Sequence, residues 1–328
     1  MTATSALRIV VGAAAMFGLA VGIARAQSGD YPVRPIKMVV GFGAGGGTDI
    51  VARIVAQGMA ASLGQSVVVD NRTGASGMIA AEDVAKSPAD GYTLMMGSQT
   101  VFAVAPRLYR KVTLDPSRDF SGVALTGASP LVLVVNPSFS AHSVADVIAL
   151  AKTNPGKINF GTGGTGTTPH MTAELFQHVA GIKMVHVAYR GEAPAINDLI
   201  AGQIPLMFAN LSAVMGHIKG GTLRPLAVTS AERAPSAPEI PTVAETLPGF
   251  AAETWFGIVA PTETPGDIIA KLNGAARHAL ALDDTKKRFA DLGMTTGTSS
   301  PEEFDAYIQS ESVKWAKVIQ DANIQPMD

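Results

Sequence analysis

The sequence predicts an α/β fold of two lobes, each a mostly parallel sheet flanked by helices, and three observations carry the prediction. From Pro35 to about residue 260, short apolar runs alternate with helical patterns, as in architectures whose parallel strands are joined by helices. The 328-residue chain is too long for one ordinary hydrophobic core. No long Gly-, Ser- or Pro-rich linker marks a serial boundary, so the chain is expected to leave the first lobe near residue 130, build the second, and return near residue 252.

Residues 1–26 read as a secretory signal and stand outside that fold. Arg8 supplies the basic start, "IVVGAAAMFGLAVGI" the apolar stretch, and Ala24-Arg25-Ala26 a cleavage site before Gln27. The apolar stretch is shorter than the roughly 20 residues of a spanning helix. Loss of Arg8 and Arg25 takes the formal charge from −2 to −4. Lys and Arg are scattered, with "KKR" at 286 to 288 the densest run, so no nucleic-acid footprint is present. The chain has no Cys, which removes disulfide frameworks, thiolate zinc sites and cysteine nucleophiles together.

The strand candidates follow in order: "IKMVVGF", "SVVVD", "YTLMMGS", "LVLVV", "INFGT", "MVHVAY", "IPLMFA", "RPLAVT" and "TWFGIVA". Between the first two, Ile50, Val51, Ile54, Val55, Met59 and Leu63 form one helical stripe, with Thr48 or Asp49 expected to cap its start and Gly64 its end. Before the last strand, "ERAPSAPEIPTVAETLPGF" reads as an ordered surface connection. The last 60 or so residues are purely helical. "TPGDIIAKLNGAARHAL" is one helix, and "SSPEEFDAYIQSESVKWAKVIQDA" another, opened by a capping box from Ser300 to Glu303 with Pro301 first. The aromatics of that last helix read as core residues.

The residues with chemical promise are two glycine loops. Gly41-Phe42-Gly43-Ala44-Gly45-Gly46 matches the dinucleotide fingerprint, and Asp70 lies near the distance of a ribose-binding acid. Backbone N–H groups at such a strand-to-helix turn can hold a pyrophosphate or a carboxylate alike, and glycines there are often only structural. Export disfavours a dissociable nicotinamide cofactor. The loop is no Walker motif, because Thr48 follows a glycine where Lys is required. A second loop, "FGTGGTGTTPHMTAELF", repeats the design with Thr162, Thr165, Thr167 and Thr168, and with Pro169 opening a helix. Two such loops, one in each lobe, can grip an anion from both sides of a cleft.

Catalytic constellations are absent by motif: no G-x-S-x-G, no H-E-x-x-H, no S-x-x-K, and six His residues without metal-ligand spacing. Triads assembled from distant positions stay open on the residues alone.

The chain from Gln27 onward resembles the exported solute receptors of tripartite tricarboxylate transporters, the Bug family. "YPVRPIKMVVGFGAGGGTDIVAR", "LGQSVVVDNRTGASGMIAAEDVAKSPADGYTLMMGS", "LVVNPSFSAHSVADVIALAKTNPGKINFGTGGTGT", "MVHVAYRGEAPAINDLIAGQIPLMF", "LRPLAVTSAERAPSAPEIPTVAE" and "WFGIVAPTETP" occur in the family's order and spacing. The resemblance implies a type II-like periplasmic binding protein fold with a ligand cleft between lobes, 27–130 plus 252–328 forming lobe 1 and 131–251 lobe 2. It implies a carboxylate ligand, membrane permease subunits as partners, no cofactor and no metal.

It also implies a site. Phe42, Ala44, Gly45, Gly46, Thr48 and Asp49 face Thr162, Gly163, Gly164, Thr165 and Thr167 across the cleft. Ser98, Gln99, Thr100 and Phe102 form a third ligand-facing loop, and His170, Tyr189, Arg190, Gly191 and Asn210 fall at cleft positions. Two departures bear on the ligand. Phe208-Ala209-Asn210 stands where many members read Phe-Asp-Asn, and Phe102 where many carry His. On that reading the wall lacks an acid and is more apolar, which favours a carboxylate without an α-amine, of aromatic character. Two other classes stay open: a ligand sensor feeding a signalling partner, separated by loss of uptake on gene deletion, and an exported enzyme, separated by turnover.

Overall fold

A computed structural model describes residues 31–110, 114–321 and 324; the expected signal segment lies outside the described residues. Ten strands form one hydrogen-bonded sheet. They are β1 (Ile36–Val40), β2 (Val67–Asn71), β3 (Thr93–Ser98), β4 (Phe120–Val135), β5 (Asn159–Thr162), β6 (Val185–Ala188), β7 (Leu206–Asn210), β8 (Arg224–Val228), β9 (Glu253–Pro261) and β10 (Thr295–Thr296). The helices are α1 (Gly47–Leu63), α2 (Met78–Ala85), α3 (Ala105–Leu108), α4 (Pro116–Asp119), α5 (Val144–Thr153), α6 (Thr168–Ala180), α7 (Glu192–Ile200), α8 (Leu211–Lys219), α9 (Gly266–Ala281), α10 (Asp283–Asp291) and α11 (Pro301–Asp321).

The spatial order is β2-β1-β3-β9-β4-β7-β5-β6, with β8 and β10 also on β4. β1 pairs in parallel with β2 and β3, and β5 with β6 and β7, as helical crossovers require. The middle is antiparallel, because β9 returns beside both β3 and β4.

β4 joins the two halves. Phe120 to Pro130 pairs with β9, and Leu131 to Val135 pairs with β7 and β8, so the strand changes partners between Pro130 and Leu131. The buried Thr229 ties this crossing to the returning chain: Leu131 N–H donates to its Oγ1 at 3.0 Å, and that hydroxyl lies 2.6 Å from the Ala252 carbonyl oxygen. Trp255, Phe102, Phe304 and Trp315 centre a core on the first half of the sheet. Phe160, Phe176 and Phe208 centre one on one face of the second half, and Ile196, Met207 and Val214 another on the opposite face.

Helix ends follow their local chemistry, with one correction. Gly64 closes α1 in the left-handed conformation at φ 67°, and Ser300 and Glu303 make the expected reciprocal cap. Neither Thr48 nor Asp49 caps the start of α1. Gly46 is at the N-cap without a side-chain bond, and Asp49, already inside the first turn, folds its carboxylate back onto the preceding loop.

Candidate functional site

Asp49 gives the first glycine loop its shape. Its Oδ2 accepts from Gly45 N–H at 2.9 Å and from Arg53 Nε at 2.9 Å, while its Oδ1 accepts from Asn71 Nδ2 at 2.9 Å. Burial alone would raise this carboxyl; the Arg53 guanidinium, the Gly45 N–H and the Asn71 amide bring it below the usual range. Asn71 Nδ2 also donates to the Phe42 carbonyl, so the loop is held to the end of β2. Gly41 must be glycine, since a Cβ there would lie 2.6 Å from Gly77 Cα.

The second loop is held by histidines. His186 Nε2 and Thr162 Oγ1 are 2.7 Å apart, and Thr162 Oγ1 accepts from Gly164 N–H. Gly166 N–H donates to His170 Nδ1 at 3.1 Å, which places the His170 proton on Nε2. The two imidazoles stack with centroids 4.0 Å apart. Desolvation, with the His186 charge second, pushes His170 down to about 3, and desolvation pushes His186 down to about 4. The 3.6 Å approach of His170 Nε2 to Glu174 is therefore made by a neutral ring.

Two adjoining cavities lie where these loops meet. The inner one, of about 40 Å³, is lined by Phe42, Gly46, Gly47, Thr48, Ser98, Thr100, Gly163, Thr167, Pro169, Glu192, Asn210 and Thr254. Four helices, α1, α6, α7 and α8, present their N-terminal residues to it, and the positive ends of their peptide dipoles favour an anion there. The outer cavity, of about 510 Å³, is lined by Gly41 to Gly43, Thr73 to Gly77, Gly163 to Thr165 and Ala188 to Gly191, with Tyr109. Phe42 and Gly163 line both.

The halves of the sheet touch across these cavities. Thr168 N–H donates to Thr100 Oγ1 at 2.9 Å. The hydroxyls of Ser76 and Tyr109 both donate to the Thr165 carbonyl. Ser76 and Ala75 hold left-handed φ values of 54° and 44°, strain that aims the Ser76 hydroxyl at that contact. Glu192 makes a third crossing: its Oε2 accepts from Gly47 N–H at 3.1 Å, and its Oε1 from Asn210 N–H at 2.6 Å.

A family model described as the tripartite tricarboxylate transporter family receptor matches residues 51–324. The chain belongs to this receptor family. It is 39% identical over 303 residues to protein BugT of Bordetella pertussis, covering 92% of this chain and 93% of that one. Among solved structures, R. palustris Rpa4515 with adipate superposes with a TM-score of 0.88 at 38% identity, covering 91% of this chain and 100% of the other. The periplasmic binding protein BugD does so at 0.87 and 32%, covering 90% and 99%. The fold is thus the α/β periplasmic binding protein fold, and the family is one of binding proteins, not enzymes. No described helix is long and apolar enough to cross a membrane.

In this receptor the residues named from sequence separate into three groups. Phe42, Gly46, Thr48, Ser98, Thr100, Gly163, Thr167 and Asn210 line the inner cavity; Gly164, Thr165, Tyr189, Arg190 and Gly191 line the outer. Ala44, Gly45, Asp49, Gln99, Phe102, Thr162 and His170 line neither. Asp49, Thr162 and His170 act one step back, holding the loops, while Gly45 supplies a φ of +82° and an N–H to Asp49. Gln99 turns to α11, where its Nε2 and Trp255 Nε1 donate to Glu311 Oε2. Phe102 is fully buried, stacked on Trp255 at 6.1 Å, because Gly97 leaves the space its ring fills. It forms no cleft wall.

Sequence reasoning missed Gly47, Pro169, Glu192 and Thr254 in the inner cavity and the turn from Thr73 to Gly77 in the outer. Glu192 overturns a premise. Ala209 does lack a carboxylate, but the wall has one, delivered from the first turn of α7 and bonded to the Asn210 backbone. A Glu opening a helix is so ordinary that nothing in "RGEAPA" singles it out.

Proposed function

We propose that this receptor works in the periplasm, capturing a small organic carboxylate, mono- or dicarboxylate, by cleft closure and passing it to the membrane subunits of a tripartite transporter. The observation that carries the reading is the convergence of four helix N-termini and two glycine loops on one pair of cavities between the halves of the sheet. Backbone N–H groups at helix starts are suited to a carboxylate. Adipate in the structure of a relative 38% identical supports the ligand class. With Phe102 in the core, the argument for an aromatic ligand falls away.

The moving bodies on this reading are residues 27–130 with 252–328, and 131–251. The pivot is the place where β4 changes partners beside Thr229. Residues 1–26 are removed on export. A thermal-shift screen over aliphatic mono- and dicarboxylates tests the reading: a bound acid raises the melting temperature by the mass-action term in [L]/Kd and is recovered unchanged. Failure of every acid to shift the transition, or turnover of the compound, refutes it.

A further inference from the structure

Helix α1 starts without a cap of its own. Gly46 at its N-cap offers no side chain, and the Asp49 carboxylate in its first turn is turned back onto Gly45, Arg53 and Asn71. The Gly47 N–H that opens the helix belongs to the first-turn donors that no carbonyl inside the helix can satisfy. It is met from 145 residues along the chain, where Glu192 Oε2 accepts from it at 3.1 Å. The helix is capped from the opposite half of the sheet.

The carboxylate is aimed by its own half. Asn210 N–H donates to Glu192 Oε1 at 2.6 Å and Asn210 Nδ2 to Oε2 at 3.0 Å. No Lys, Arg or His lines the inner cavity to balance its charge. Helix starts supply the balance: Glu192 is in the first turn of α7, Asn210 is the N-cap of α8, and Gly47 opens α1.

Glycines on the facing side permit the approach. A Cβ on Gly47 would lie 3.1 Å from Asn210 Cβ and Cγ, and one on Gly46 would already touch Glu192 Cβ at 3.5 Å. Of the three crossings at the cavities, those made by the hydroxyls of Thr100, Ser76 and Tyr109 are neutral, and Glu192 makes the charged one. A hydrogen bond to an ionised group is roughly twice as strong as a neutral one.

We propose that Glu192 is the closure latch of this receptor: a positioning residue of one half that caps α1 of the other, holds the cleft shut around a bound acid and sets how long the acid stays. The bond to Gly47 exists only when the halves meet, so it slows release and leaves entry alone. This rests on the cleft-closure reading and adds the residue that holds the closed form.

The test uses Glu192→Gln, which keeps the volume and removes the charge, and Gly47→Val, which keeps Glu192 and wedges the halves apart. Because the chain has no Cys, Val68→Cys and Val185→Cys place two nitroxide labels, at exposed sites on β2 and β6 at opposite ends of the sheet, in the wild type and in each variant. The probe is whichever of butanoate, succinate, glutarate and adipate the wild type binds most tightly. Stopped-flow Trp fluorescence is expected to show dissociation about tenfold faster in both variants, with the association rate within about twofold of wild type. At saturating acid, double electron–electron resonance is expected to give one distance in the wild type and a second, open population in the variants. A residue that only touched the ligand would lower affinity and leave the saturated distances as in the wild type. Unchanged dissociation, a loss carried by association, or saturated distances identical to the wild type's overturns the latch and leaves the receptor reading in place. Failure of every acid to bind the wild type overturns that reading as well.

Discussion

Acidifying the protein from pH 7 to pH 5 should remove stability through His170 and His186. Each binds a proton less readily folded than unfolded: the unfolded value is near 6.5, and the folded values fall to about 3 and about 4, chiefly by desolvation. The unfolded chain therefore binds more protons in this window, and stability rises with pH. It is complete above about pH 6.5 and declines as the pH falls toward the folded values. Between pH 7 and 5 the loss is about 2 kcal/mol for a fully buried imidazole. His170 is close to that limit, and the part-exposed His186 is discounted to about 1 kcal/mol for solvent screening. Carboxyls raised by desolvation in the fold, the part-buried Glu174 and the buried Glu192 among them, work in the opposite direction, so total stability alone does not isolate the pair. The assay is urea denaturation followed by Trp fluorescence at the two pH values, for the wild type and for His186→Gln, whose amide can still meet Thr162 Oγ1. The variant should lose about 1 kcal/mol less on acidification. An identical loss in both proteins would refute the assignment of a desolvated neutral imidazole at 186.

Asp49→Asn, which removes one acceptor from a saturated carboxylate, is expected to cost about 2 kcal/mol, or about 4 °C in Tm. It should also weaken the acid ligand at least tenfold by freeing the first loop, as differential scanning fluorimetry and calorimetry would read. Gly41→Ala drives a Cβ to within 2.6 Å of Gly77 Cα and should weaken binding more than it lowers Tm; equal affinity would remove this loop from the site. Gly274→Ala, in the interior of α9 with open space around it, should stabilise by about 0.5–1 kcal/mol and leave binding unchanged. Thr229→Val, which strips the hydroxyl from the crossing strands, is expected to cost about 3 kcal/mol by chemical denaturation.

The strands and helices of this receptor were legible where local signals were strong. Every strand candidate named from its short apolar run is present as an element. The central strands β1, β3, β7 and β9 are buried almost throughout, which is why they are written as continuous apolar runs. The first half of β4 escaped notice. "FSGVALTGAS" is broken by glycines and small polar residues, two of its irregularities fall at Gly122 to Ala124 and Leu125 to Gly127, and only pairing with β9 makes it a strand. The cavity was legible at its glycine loops, whose backbone requirements appear in the letters. It was illegible at Glu192 and Thr254, whose roles depend on where α7 and β9 deliver an ordinary Glu and an ordinary Thr. Phe102 erred in the other direction: the aromatic is at an anticipated place in the chain, but Gly97 opens a hole on the core side and the ring takes it.

Thr229 fastens two chain crossings at one point, which makes them a single axle in place of two independent straps. Motion about an axle scales with distance from it. Thr254 pairs with Ser129, one residue from the Pro130 crossing, so in the closure proposed above the floor of the inner cavity would travel less than the outer cavity at Gly43 and Arg190. A ligand entering such a device would meet an inner cavity that is already built, before the outer part had swung.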